Sequence, residues 1–177
     1  MEYIFETEHL RIRKFDLEDA PRLYRNHQEP EVWKWIPNEC YQDLEEAEDA
    51  IGFFARCVEQ KRLPYVLAVE LKENGILIGD VGINEVDGKP GEVEIGCTIC
   101  REYQCRGYAT ELVAGMCNFV RSNFGFRVLY GRVMKGNDAS VRVLEKNGFV
   151  FLREEIGAED DPYGKGMLVY KKDAESR

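Results

Sequence analysis

At 177 residues, 44% of them hydrophobic, the chain can bury a substantial core, and we expect one domain over residues 1–177. Its formal net charge of −9 argues against a nucleic-acid-binding surface, which needs clustered Lys and Arg, and favours cationic partners such as amines or basic peptides. The sequence has neither a basic start followed by an apolar stretch nor an apolar run near the roughly 18 residues of a membrane span. We therefore expect a cytoplasmic protein that does not bind membranes.

Six cysteines raise the question of a disulfide or a metal site. A chain without an export signal belongs in a reducing compartment, where cysteines stay free. Cys97 and Cys100 have the spacing of a metal-binding pair, but residues three apart on a strand point to opposite faces, so we expect no metal. Cys105 precedes a helix N-terminus, which can lower the pKa of a thiol. A reactive thiol at Cys105 stays open, although we favour an ordinary free cysteine.

The first sixty residues predict a strand and two helices. Apolar residues alternate with arginines at residues 10–12, which favours a strand, and acidic caps at 16–19 begin a helix that runs towards His27. Residues 33–37 predict an aromatic loop that ends in proline. Helical spacing of apolar residues then predicts a second helix over 43–60.

The middle of the chain predicts an antiparallel meander. Three strand-like runs between residues 65 and 100 are separated by Asn-Gly at 74–75 and by a turn containing Asp-Gly at 87–91. Both dipeptides favour tight hairpin turns because their residues tolerate positive φ.

A glycine-containing segment at residues 104–110 joins the third of these strands to an amphipathic helix. The first N–H groups of such a helix lack partners, and the helix dipole adds positive potential there, so a strand, a glycine turn and a helix start form an anion site. A pyrophosphate would fit this site. The apolar residues that recur at helical spacing are Leu112, Val113, Met116, Phe119 and Val120.

The last fifty residues complete an α/β (α+β) domain that is built on a mixed sheet. We predict a strand at 128–134, a helix that begins at Asp138 and is ended by Gly148, and strands near 149–154 and 167–171. Together the patterns predict a mostly antiparallel central sheet of about seven strands flanked by about four helices.

Segment 104–110 contains Gln-x-x-Gly-x-Ala, which resembles the acetyl-CoA signature of the GNAT superfamily of N-acetyltransferases. Further matches in the expected order are similar to its RimJ/RimL-like branch, which acetylates the N-termini of ribosomal proteins. These matches lie at residues 7–13, 19–20, 29–32 and 94–96, at Asn137 with Ser140, and at 144–149.

The resemblance implies a single GNAT domain with splayed central strands and acetyl-CoA as co-substrate. The pyrophosphate would rest on the N–H groups of residues 105–110, with Gly107 leaving room for it. The pantetheine arm would pair with the end of the central strand, and Arg106 and Arg142 would help to neutralise phosphates. The implied cofactor-binding residues are Cys97, Thr98, Ile99, Gln104, Cys105, Arg106, Gly107, Tyr108, Ala109, Thr110 and Asn137.

The resemblance also implies direct attack of a primary amine on the thioester. Glu94 on the central strand is our candidate base, with Glu92 or a water molecule as alternatives. Many members of the superfamily supply an acid from a tyrosine, but the matching residue here is Leu144. In the RimJ/RimL-like branch a serine has this role, and Ser140 matches it.

The acceptor side is less defined by the sequence. Trp33 and Trp35 would wall the acceptor pocket, with Glu92 beside it, or else the tryptophans belong to the core. The acceptor itself is a protein N-terminus or a small amine. The other function that fits the signature is a non-catalytic acyl-CoA-binding regulator. We expect a monomer or a homodimer, since an exposed terminal strand could pair with a second copy.

Overall fold

A computed structural model describes residues 2–157, 162 and 166–173, and the strands within these residues form one sheet of eight. The spatial order is β1-β2-β3-β4-β5-β6-β8-β7, and every neighbouring pair is antiparallel except β5 with β6, which is parallel. The strands are β1 (Tyr3–Glu6), β2 (Leu10–Arg13), β3 (Tyr65–Leu71), β4 (Leu77–Glu85), β5 (Glu92–Ile99), β6 (Val128–Met134), β7 (Val150–Glu155) and β8 (Met167–Asp173). The mixed, mostly antiparallel sheet is confirmed, with β1 as a strand that the sequence analysis did not identify.

Five α-helices are present in the described part of the chain, together with three short 3₁₀ segments. The helices are α1 (Ala20–His27), α2 (Pro30–Trp35), α3 (Leu44–Glu59), α4 (Tyr108–Phe124) and α5 (Asp138–Lys146). The 3₁₀ segments are Leu17–Asp19, Pro37–Glu39 and Arg101–Tyr103.

The prediction of an aromatic loop at residues 33–37 is wrong, because most of this stretch is helical. Pro30 occupies the first turn of α2, where its fixed φ favours a helix and its missing N–H costs nothing. The indole nitrogen of Trp35 donates a hydrogen bond to Glu31 one turn earlier, at 3.1 Å. A six-residue helix is too short for its apolar spacing to be recognised in the sequence.

Side-chain caps and left-handed glycines explain where the longer helices begin and end. Asp43 accepts a hydrogen bond from the backbone of Glu46 at 2.9 Å and begins α3. Asn137 caps α5 in the same way by accepting from the backbone N–H of Ser140 at 3.3 Å. Gly107 and Gly125 flank α4 with φ of 85° and 65°, a left-handed conformation that favours glycine.

Helices cover both faces of the sheet. On β5, Val93, Ile95 and Ile99 point into the buried cluster that contains α4, whereas Thr98 points to the opposite face. On that opposite face, Asp80 of β4 bonds His27 of α1. The two layers thus enclose the sheet between α4 on one side and α1 on the other.

The parallel pair at the centre of the sheet separates along its length. β5 pairs with β6 only from Glu92 to Glu94, while its pairing with β4 continues to Ile99. The expected splaying of the central strands is confirmed. Beyond Glu94, one edge of β5 has no strand beside it, and a cavity opens there.

Candidate active site

A cavity of about 990 Å³ occupies the gap between β5 and β6. Its wall is formed by α2, the 3₁₀ segment Pro37–Glu39, β5, the start of α4, β6 and α5. This volume lies at the upper end of the roughly 300–1,000 Å³ typical of ligand pockets.

The free edge of β5 presents main-chain groups to the cavity. Cys100 donates its N–H to Ile78 of β4 at 2.8 Å, so by strand alternation the main-chain groups of Thr98 also face β4. Those of Cys97 and Ile99 face the cavity. The expectation that Thr98 supplies a main-chain partner to the cofactor therefore needs correction. Its hydroxyl instead donates to Asp80.

Gln104, the first residue of the signature, connects the loop before α4 to β5. Its side-chain amide donates to the carbonyl of Ile99 at 2.7 Å. Gln104 lines the cavity, and its contact holds the start of α4 beside the free edge of the strand. The side-chain amide of Gln104 is therefore already hydrogen-bonded within the protein.

The start of α4 has the backbone geometry predicted for an anion site. Cys105 and Gly107 have φ of 59° and 85°, which turns the chain sharply into the helix. The first helical hydrogen bond runs from Glu111 to Gly107, at 3.0 Å, so the three N–H groups between them have no acceptor within the helix. The residues that carry these groups, Tyr108, Ala109 and Thr110, all line the cavity.

Helix α5 adds positive charge to the same part of the wall. Arg142 and Lys146 line the cavity, and the side-chain amide of Asn147 donates to the carbonyl of Thr110 at 3.2 Å. That bond ties the end of α5 to the first turn of α4. Asn137 and Ser140 also line the cavity at the start of α5.

Carboxylates dominate another part of the wall. Glu94 lies where β5 and β6 separate, five residues before Ile99, or about 17 Å along the strand. Glu31 and Glu39 reach the same cavity from the segment around α2. Burial raises the pKa of Glu94, Arg132 opposes this shift, and the negative charge of Glu155 adds to it.

Three residues predicted for the site lie outside this wall as the structure describes it. Trp33 is 51% exposed, whereas Trp35 lines the cavity. Arg106 donates to the carbonyl of Glu102 at 3.0 Å and lies over the ring of Tyr103. Glu92 accepts a hydrogen bond from the hydroxyl of Tyr130 at 2.7 Å, so it is a sheet residue bonded to β6.

The sequence analysis did not identify Glu31 and Glu39 as residues of this cavity. Their only signal is their place on either side of Trp35, which was itself a candidate. Leu144, which stands where many relatives have a tyrosine, is buried against Gly131 of β6.

Two other features bear on the class of protein. Within residues 2–157, 162 and 166–173, no group of three or more His, Cys, Asp or Glu side chains is arranged to hold a metal ion. In the same part of the chain, no helix has the length and apolar character needed to cross a membrane.

The separated parallel strand pair beside an unpaired helix N-terminus is the arrangement implied by the GNAT resemblance, and comparison with known proteins identifies the chain as an N-acetyltransferase enzyme. The family model described as an acetyltransferase (GNAT) domain matches residues 9–150, so the chain belongs to this family. Acetyl-CoA-dependent N-acetylation is the general reaction of the family.

Relatives and solved structures match nearly the whole chain. An uncharacterized N-acetyltransferase of Bacillus licheniformis, p20, is 28% identical over 163 residues, which are 92% of this chain and 89% of p20. The ribosomal-protein-S5-alanine acetyltransferase of Vibrio fischeri superposes with a TM-score of 0.82 at 18% identity, covering 97% of each chain. RimL, a ribosomal L7/L12 α-N-protein acetyltransferase solved with coenzyme A, has a TM-score of 0.79 at 15% identity and covers 97% of this chain and 98% of its own. The predicted GNAT resemblance is confirmed, and the neighbours in fold include enzymes of the suspected branch.

Proposed function

We propose that this protein transfers the acetyl group of acetyl-CoA directly to a primary amine inside the cavity between β5 and β6. The observation that carries the proposal is the distribution of charge along one continuous wall. Unpaired N–H groups and two cationic side chains occupy the part at α4 and α5, and carboxylates occupy the part at α2 and Glu94. An anionic cofactor and a cationic acceptor would each meet complementary charge.

The residues fit acetyl-CoA as co-substrate. The N–H groups at the start of α4 would bind the pyrophosphate, with Arg142 available to other phosphate oxygens. The main-chain groups of Cys97 and Ile99 that face the cavity would bind the pantetheine arm as an added strand. This arrangement would direct the thioester towards Glu94, where β6 leaves β5.

The chemistry needs a proton acceptor and a proton donor. A lysine-like amine has a pKa near 10.4 and is almost fully protonated at pH 7, so it must lose a proton before it attacks. Glu94 would accept a proton, directly or through water, as the C–N bond forms and the tetrahedral intermediate develops. The C–S bond then breaks, and Ser140 at the first turn of α5 would supply a proton to the sulfur.

The acceptor is a protein N-terminus or a small amine. Trp35, whose ring lines the cavity, would contact the acceptor, while Trp33 and Glu92 would contribute only if a longer acceptor extends beyond the described wall. The RimJ/RimL-like resemblance favours a peptide N-terminus, and the acidic composition fits a cationic acceptor. A cytoplasmic location, as monomer or homodimer, remains a prediction.

A non-catalytic acyl-CoA-binding regulator is the second candidate. It is favoured by Leu144, which packs against Gly131 and supplies no phenol to the thioester sulfur. Such a protein would keep the main-chain site at α4 and lack turnover.

Two measurements on the wild-type protein separate these functions. Calorimetry with acetyl-CoA tests the cofactor site, and release of free CoA in the presence of peptide N-termini, polyamines and amino sugars tests turnover. Binding with turnover supports the enzyme, and binding without turnover on any acceptor supports the regulator. Absence of binding to acetyl-CoA contradicts both.

A further inference from the structure

A buried His–Asp pair lies behind the carboxylate part of the cavity. His27 is 2% exposed, and its Nε2 lies 2.8 Å from a carboxylate oxygen of Asp80. Its Nδ1 lies 2.6 Å from the main-chain carbonyl oxygen of Glu39. The pair therefore connects α1, β4 and the 3₁₀ segment Pro37–Glu39.

The partners of this histidine determine where its protons lie. A carbonyl oxygen only accepts, so Nδ1 of His27 carries a proton and donates it to Glu39. The Asp80 oxygen that faces Nε2 also accepts from the hydroxyl of Thr98. Burial alone would lower the pKa of His27, but Asp80 and the Glu39 carbonyl outweigh it and the net shift is upward. The ring and the carboxylate form a hydrogen-bonded pair that holds the backbone of Glu39 in place.

Glu39 and Glu94 both reach the open space of the cavity. Asp80 pairs with Thr98 across the sheet and Asn84 pairs with Glu94, so Glu94 and Thr98 lie on the face where His27 and the 3₁₀ segment pack. Between them lies Gly96, and a side-chain carbon added there would meet no atom within 4 Å. The surface of β5 at Gly96, which forms the floor of the cavity beside Glu94, is therefore open and can accept part of a ligand.

The other carboxylates of the wall already have partners. Glu31 accepts a hydrogen bond from the indole of Trp35, and Glu155 is paired with Arg132 and Arg153. Glu39 and Glu94 are left as the groups best placed to exchange protons with a ligand.

Stoichiometry requires two proton transfers from the acceptor. An ammonium group R–NH₃⁺ that becomes an acetamide R–NH–CO–CH₃ loses two protons in all. One ends on the sulfur of coenzyme A as the C–S bond breaks, and the other is released to solvent. A single carboxylate would have to discharge its first proton before accepting the second, whereas two carboxylates facing one floor can each take one.

We propose that Glu39 accepts the first proton from the acceptor ammonium, leaving Glu94 to take the second during attack, and that the His27–Asp80 pair positions Glu39. This inference rests on the proposed acetyl transfer. The nitrogen lone pair freed by Glu39 forms the C–N bond, and Glu39 returns its proton to water between turnovers. The proton on Glu94 replaces the one that Ser140 gives to the sulfur, so both carboxylates and the hydroxyl return to their starting states.

The electrical surroundings of Glu39 suit this role. Glu39 is exposed to the cavity, but the protein around it still desolvates its carboxyl group. This desolvation, together with the negative charges of Asp80 and Glu94, raises the pKa of Glu39 from 4.5 to about 7. His27 opposes the shift. A carboxyl group that titrates near neutral pH can both accept and release a proton during turnover. The titratable groups around it are His27 on α1, Asp80 on β4, Glu94 and Cys97 on β5, and Cys40 and Tyr41 next along the chain.

The test compares Glu39→Gln with wild type for acceptors of different amine pKa. With an acceptor of pKa near 10, we expect kcat at pH 7 to fall about 100-fold, and the defect to shrink as the pH approaches the amine pKa. With a fluorinated analogue of the same acceptor, whose amine is neutral at pH 7, the defect should nearly disappear. Affinity for acetyl-CoA should stay unchanged in calorimetry.

Controls separate proton transfer from structure and from charge. Glu48→Gln removes an exposed carboxylate on α3 and should leave both acceptors unaffected. His27→Gln should reproduce part of the Glu39→Gln defect with the same dependence on amine pKa. If His27→Gln is unstable, Asp80→Asn tests the same pair. The comparison of Glu39→Gln with wild type does not depend on either of these variants.

Two outcomes would overturn the inference, and they are distinguishable. In the first outcome, wild type turns over and Glu39→Gln has the wild-type kcat with both acceptors. This result excludes Glu39 from proton transfer but leaves the proposed function intact. A defect of equal size for both acceptors also contradicts it, since such a loss reports a structural change. Absence of wild-type turnover contradicts the proposed function itself.

Discussion

The proposed cofactor part and the proposed acceptor part of the cavity are built from different chemical groups. At α4 the recognition elements are main-chain N–H groups, which belong to one continuous run of residues that follows a left-handed glycine. At α2 and β5 they are side chains, Glu39 and Glu94, brought together from segments more than fifty residues apart. A main-chain site depends on backbone conformation, whereas a side-chain site changes with single residues. Substitutions that alter the backbone conformation should disrupt the main-chain site, whereas isosteric side-chain substitutions should disrupt the side-chain site.

Breaking the main-chain site should have the largest effect. Gly107→Val forces a β-branched residue into φ of 85° and places its side chain where a pyrophosphate would lie. We expect affinity for acetyl-CoA in calorimetry to fall more than about 100-fold, or about 3 kcal/mol. Gly125→Val at the other end of α4 carries similar strain, at φ of 65°, and should keep wild-type affinity. Equal losses in both would show that strain in the helix, and not anion binding, is responsible.

Removing charge from the acceptor part should reduce turnover without weakening the cofactor site. Glu94→Gln keeps the size of the side chain and removes the proton acceptor, so we expect kcat to fall about 100-fold with an unchanged Kd for acetyl-CoA. Glu85→Gln, which changes an exposed carboxylate on the adjacent strand β4, is the matched control. A wild-type kcat in Glu94→Gln would assign the proton to another group or to water.

The open floor offers a smaller, graded test. Gly96 lies on β5 with open space above it, so valine there should preserve the fold and narrow the cavity beside Glu94. We expect Gly96→Val to lower kcat/KM for the amine about tenfold while the affinity for acetyl-CoA is retained, with Gly96→Ala between wild type and valine. If both variants match wild type with bulky acceptors, the acceptor lies elsewhere in the cavity.

The smallest effect concerns stability and its dependence on pH. The pKa of Glu39 is raised from 4.5 to about 7, so the folded protein binds this proton more tightly than the unfolded chain. The resulting stabilisation is complete below about pH 4.5 and is lost as the pH rises through 7. The upward shift of His27 acts in the same direction. Chemical denaturation should show wild type losing about 1 kcal/mol more than Glu39→Gln between pH 5 and 8, a discounted figure because the open cavity screens part of the charge.

Glu48→Gln is the control for this measurement. It should follow the wild-type pH dependence, since its carboxylate is exposed. Parallel curves for wild type and Glu39→Gln would mean that Glu39 ionises with an ordinary pKa.

Sequence patterns could predict the proposed cofactor part of the cavity because its determinants are local. The turn at Gly107 and the unpaired start of α4 each depend on a few adjacent residues. The acceptor part was located only through Glu94 and Trp35. Glu39 was missed because nothing in its neighbourhood distinguishes it from a solvent-exposed glutamate, and its distinctive environment comes from His27 and Asp80.

Individual errors have the same origin. Thr98 is adjacent in sequence to residues with free main-chain groups, but strand pairing turns its own groups to β4. Trp33 and Trp35 are two residues apart in one short helix, so only one of them reaches the cavity. Strand β1 forms because β2 offers a free edge to pair with. A segment of four residues is too short for its sequence pattern to predict this pairing.

The sequence by itself determined the hairpin turns, the helix caps and the unpaired helix start after Gly107, because dihedral preferences and unpaired N–H groups act over a few residues. Only the tertiary structure decided how far β5 and β6 stay paired, which strand edge faces the gap and which carboxylates share it. Those features depend on hydrogen-bond register and on burial by distant segments, and the pKa of a group such as Glu39 is set by the charges that folding places around it.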